Sequence, residues 1–102
     1  MLRFELLLPL YYNDGRPIEE EKFVETDEEL VQAFGATSTE TVIVSGRWVY
    51  QSTLYEDRLI RVRIDTADTP ENRTFFRQYK ETLKTRFAQE DIWITAQQIE
   101  VI

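Results

Sequence analysis

Residues 60–95 read IRVRIDTADTPENRTFFRQYKETLKTRFAQEDIWIT, and this stretch decides the fold. Its two ends alternate with period two. Ile60, Val62 and Ile64 oppose Arg61, Arg63 and Asp65; Ile92 and Ile94 oppose Trp93 and Thr95. Such alternation marks a strand with one buried face. Between the ends, Thr69-Pro70 offers a hydroxyl cap followed by proline at the first helical position. Phe75, Phe76, Tyr79, Leu83 and Phe87 then recur at helical spacing, which gives one apolar stripe. The stretch therefore predicts a strand over Leu54–Thr66, a helix from Pro70 to about Ala88 and a last strand over Asp91–Ile102.

The same unit occurs earlier in the chain. Leu2, Phe4, Leu6, Leu8 and Leu10 alternate with Arg3, Glu5, Leu7 and Pro9, so the chain opens on a strand that ends near the proline. Asn13-Asp14-Gly15-Arg16-Pro17 is dense in turn formers. An acidic helix over Glu19–Phe34 follows, with Phe23, Leu30, Val31 and Phe34 on one face and Gly35 as its stop. Thr26 with Glu29 fits a capping box, which predicts a break near Thr26. Thr41–Tyr50 reads as a strand, Gly46 within it as a bulge, and Gln51-Ser52-Thr53 as a short reversal. The order strand–helix–strand, strand–helix–strand predicts one α+β domain over residues 1–102. It is a two-layer, ferredoxin-like βαββαβ sandwich with a four-stranded antiparallel sheet, two helices on one face, and the first and third strands in the centre.

The composition narrows function by exclusion. The chain has no cysteine and no histidine, which removes thiol nucleophiles, zinc–thiolate sites and the commonest general base and metal ligand. The balance lies against an enzyme, and no catalytic residue, metal ligand set or cofactor is assigned. The net charge of −7 is local: residues 1–40 hold ten acidic and three basic side chains, residues 41–102 nine of each. An acidic domain is repelled by phosphate backbones, so nucleic acid is not an expected partner. No apolar run approaches the ~20 residues of a membrane span, and no leader pattern is visible, so a cytoplasmic protein is expected.

From Phe34 onward the sequence resembles a family of small bacterial proteins designated a domain of unknown function. The matching elements are Phe34-Gly35-x-Thr37, Gly46-x-Trp48, the acidic pair Glu56-Asp57, Tyr79-Lys80, Arg86-Phe87-x-Gln89-Glu90 and a terminal strand. The resemblance covers roughly residues 34–102. It implies a shared fold and assigns no activity.

In this wiring Arg3, Arg61 and Arg63 converge on the sheet face away from the helices, near Glu5 and Asp65. They either form cross-strand ion pairs that cover the face, or grip a carboxylate or phosphate through paired hydrogen bonds, with Tyr55 and Glu56 as proton-transfer partners. Trp93 is an outward aromatic on the same face; with Leu7 and Thr95 it marks a subunit interface. Trp48 is read as packing at the sheet edge. Glu56 and Asp57 are sequence neighbours in a strand, so they point to opposite faces and do not share a ligand. Tyr79-Lys80 lacks the glycine-rich loop of a nucleotide-dependent oxidoreductase, and Tyr79 belongs to the apolar stripe. The leading expectation is a non-enzymatic binding or interaction module that forms a homodimer through its open sheet face. The alternative is a small-molecule binder or enzyme acting on an anionic substrate. The acidic first helix is a further docking face, for a basic protein partner.

Overall fold

The computed structural model describes residues 1–102, the side chain of Thr41 apart. The elements run β1 (Leu2–Pro9), α1 (Glu20–Phe34), β2 (Ser38–Tyr50), β3 (Thr53–Thr66), α2 (Pro70–Arg86) and β4 (Trp93–Gln98). The strands form one antiparallel sheet in the order β2-β3-β1-β4. The chain is thus the expected α+β two-layer sandwich of ferredoxin-like wiring, with β1 and β3 central.

The core follows from the two periodicities. Leu2, Phe4, Leu6 and Leu8 on β1, Val62 and Ile64 on β3 and Ile92 before β4 are buried under the helices. The helices contribute Leu30 from α1 and Phe76, Tyr79 and Leu83 from α2, with Phe87 just past its end. Aromatic rings tie the two layers together. Phe76 stacks on Phe4 with centroids 4.0 Å apart and on Phe34 at 5.2 Å, and Phe23 meets Phe87 edge-on at 5.2 Å.

The ends of α2 are set as read: Thr69 accepts a hydrogen bond from the Asn72 amide at 3.1 Å, and Pro70 opens the helix. Gly35 closes α1 in the left-handed region at φ 85°, where a side chain would be strained. Several features differ from expectation: β2 begins at Ser38 rather than Thr41, β4 begins at Trp93 rather than Asp91, and three more have a physical reason. Helix α1 runs unbroken through Thr26, because the Thr26 hydroxyl donates to the Lys22 carbonyl one turn back (2.7 Å) rather than capping a new helix. The bulge of β2 falls between Glu40 and Val44, not at Gly46. The last strand stops at Gln98, since that residue already pairs with Leu2 at the start of β1; only one further bond, from the Ile99 amide to the Met1 carbonyl, follows.

Between the helices lies a partly buried polar clasp. The Tyr79 hydroxyl donates to Glu29 (2.9 Å), and Arg86 donates to the Thr26 hydroxyl (2.8 Å) and pairs with Glu29 (2.7 Å). Burial, reinforced by the Glu29 carboxylate, pushes the Tyr79 phenol from 10.0 up to about 12. A folded-state value above the unfolded one means the stabilisation is whole below pH 10 and fades as the pH rises toward 12, since the unfolded chain ionises first. Alkaline titration followed by circular dichroism should show a loss of roughly 2–3 kcal/mol across that window. Tyr79→Phe should abolish that pH-dependent loss.

Candidate functional site

Alternation leaves one sheet face uncovered, and it divides into two halves. One half is a lattice of ion pairs. Glu5 lies opposite Arg63 in the β1–β3 register, and Glu40 opposite Arg61 in the β2–β3 register. Arg63 reaches Glu5 at 3.0 Å and Glu40 at 2.6 Å. Arg61 reaches Glu40 at 3.2 Å and Glu5 at 3.5 Å. At the longer contact the Arg61 Nε lies within ion-pair range of Glu5 but makes no hydrogen bond. Arg3 forks onto Asp65 with bonds of 2.8 and 3.1 Å, and that guanidinium holds the Asp65 carboxyl below the usual carboxylate range. The stabilisation from this pair is present above the ordinary carboxylate value and lost as the pH falls through the lower folded-state one. Three cations thus meet three carboxylates, and each guanidinium already has an acid.

The other half is apolar. Leu7 on β1 lies opposite Trp93 on β4, which is 63% exposed. Pro9 lies opposite Leu59, and Leu59 opposite Val44. Further along the hairpin, Trp48 on β2 faces Tyr55 on β3, and their rings stack at 4.6 Å. Of these, Leu7, Pro9, Leu59, Trp48 and Trp93 line a groove of about 350 Å³, together with Gly46, Arg47 and the turn after α2. Its aromatic lining is Trp48 and Trp93, its aliphatic lining Leu7, Pro9 and Leu59, and the turn after α2 adds Ile92, Gln89 and Asp91. Gly46 has a packing reason here: a Cβ would stand 3.2 Å from the Leu59 methyl, so the missing side chain lets Leu59 lie against β2. Asp57 borders the groove and accepts the Trp48 indole N–H at 2.6 Å.

The residues singled out from sequence are therefore distributed as follows. Arg3, Arg61 and Arg63 share the open face but are engaged with acids. Tyr55 is on that face, beyond the end of β1, beside Trp48. Glu56 is on the opposite face of the hairpin, paired with Arg47 at 3.2 Å, so Tyr55 and Glu56 do not converge on the arginines. Leu7 and Trp93 are cross-strand neighbours, and Thr95 is next along β4, opposite Glu5. On α1, Glu20 and Glu21 are exposed in the first turn, where they suit the helix dipole, while Glu19 is bonded to Tyr12 and paired with Lys22. Sequence reasoning misses the groove. Its signal lies in the parity of β3: Tyr55, Asp57 and Leu59 share the face of Arg61 and Arg63, and Trp48 sits across from them.

No protein-family model matches the chain, and no curated protein matches it. Solved structures do resemble it. A phage SAM lyase in complex with S-methyl-5'-thioadenosine is 18% identical with a TM-score of 0.70, covering 95% of this chain and 80% of that one. The divalent cation tolerance protein (Cut A1) from Thermus thermophilus is 17% identical with a TM-score of 0.62, covering 97% and 84%. CutA from Synechococcus elongatus is 13% identical with a TM-score of 0.60, covering 96% and 76%. At these identities the likeness is one of fold. Among the described residues no cluster of three or more acids is placed to hold a metal ion, and no helix is long and apolar enough to cross a membrane.

Proposed function

We propose that this protein is a non-enzymatic interaction module whose open sheet face pairs with a second copy of the chain. The observation that supports this most is Trp93, a large aromatic 63% exposed beside Leu7 on a sheet face with no cover. Charge argues for a second copy as the cover. The chain carries −7 overall, yet the ion-pair half of its open face balances Arg3, Arg61 and Arg63 against Glu5, Glu40 and Asp65. Two copies can meet there without bringing their net charge together. A two-fold axis passing through the apolar half would set that half on its own copy. The small bacterial family that the sequence resembles would share this face. Sedimentation should return a mass near twice 12.2 kDa for the wild type. Trp93→Glu should return a single chain, because an unpaired carboxylate in an apolar contact is costly. A single chain in both cases removes the proposal.

A second reading is favoured by the groove itself, which has the volume of a small-molecule site. The similar phage lyase was solved with S-methyl-5'-thioadenosine, so that compound is the first to test by thermal shift. Carboxylates and phosphates, the anionic ligands expected from the arginines, would have to displace Glu5, Glu40 or Asp65. They should raise the melting temperature less than a groove ligand does.

A further inference from the structure

We propose that the groove between Trp48 and Trp93 binds a small flat cation, a positively charged nitrogen heterocycle, with Asp57 as its counter-charge. This rests on the small-molecule reading of the groove and names the chemistry that reading leaves open.

Asp57 is the exception on the open face. Glu5, Glu40 and Asp65 each meet an arginine, whereas Asp57 has no basic partner among the described residues. Its Oδ2 accepts the Trp48 indole N–H, and its Oδ1 makes no hydrogen bond among the described residues. Arg47, which also lines the groove, pairs with Glu56 across the hairpin, Lys80 pairs with Asp91 at 2.9 Å, and Arg58 follows Asp57 in β3 and so stands on the opposite face of the sheet. A lone carboxylate beside apolar walls attracts a positive group more strongly than one in open water, and it repels anions.

The walls select shape as well as charge. A cation is drawn to the face of an aromatic ring, and indole is the best of the side chains for it. Trp48 is held in place before any ligand arrives, by its bond to Asp57 and by the stacked Tyr55 ring behind it. A preset wall spares the ligand the cost of ordering it. Both tryptophans of the chain line the groove.

Intrinsic fluorescence therefore reports on this groove directly. The full chain is titrated with N-methylated nicotinamide, a permanent pyridinium cation, and with neutral nicotinamide. Quenching by the cation should saturate, with an affinity about tenfold above that for the neutral compound. Asp57→Asn keeps an acceptor for the indole and should erase that difference, with sedimentation and melting unchanged. If that variant does not fold, the wild-type comparison of cation with neutral compound decides alone. Equal affinity for both compounds, or a preference that survives Asp57→Asn in a folded protein, overturns the charge assignment and leaves a small-molecule groove standing. Quenching that stays linear for both compounds overturns the groove reading as well.

Discussion

Replacing Phe76 by Ala is expected to remove about 3–5 kcal/mol of stability, the usual range for a buried phenylalanine. Phe76 is 3% exposed and is the ring on which the two layers meet. It stacks on Phe4 of β1 at 4.0 Å and touches Phe34 and Phe75 at 5.2 Å each. Truncation leaves a cavity between sheet and helix that these rings cannot close, because each is fixed by further partners. A domain of this size has about 5–15 kcal/mol to lose, so the urea midpoint should fall sharply. Phe76→Leu, which keeps most of the volume, should cost far less. If Phe76→Ala left the midpoint unchanged, α2 would not lie across β1.

Arg86→Ala should cost about 2–3 kcal/mol, the second largest effect. The side chain is 9% exposed and joins α2 to α1 through Thr26 and Glu29. Hydrogen bonds to charged groups contribute about 1.5–3 kcal/mol each when lost, and a buried charge stripped of its partner costs more. Glu29 is 41% exposed and can turn to water, which keeps the total near that of a single such bond. Arg86→Met keeps the stem packed and loses the bonds. It should fall between wild type and Ala in thermal unfolding, and a value equal to wild type would mean the clasp contributes nothing.

The architecture is legible in the sequence because each element shows a strong period. Leu2 to Leu8 and Ile60 to Ile64 alternate cleanly, and the Phe75-to-Phe87 stripe leaves only one way to pack α2. Thr69-Pro70 and Gly35 are chemically specific signals and set their boundaries as read. Thr26 misleads because a capping threonine and a mid-helix threonine look alike until Arg86, sixty residues on, is seen to need its oxygen. Gly46 misleads for a related reason: its constraint is the Leu59 methyl on the neighbouring strand, which no local pattern reveals. The arginines of the open face are readable, but not all of their acids are, since Glu40 enters the lattice from the strand beyond β3. The groove needs all four strands and the turn after α2 at once, so only assembled coordinates display it.

In the proposed homodimer the face bearing Trp93 is covered by a second copy. Trp48→Phe leaves Trp93 as the only tryptophan, and iodide quenching of its fluorescence can be followed as the protein is concentrated from the nanomolar to the high micromolar range. Trp93 is expected to be open to iodide when dilute and to become shielded on concentration. A Trp93 equally open to iodide at every concentration would contradict the homodimer.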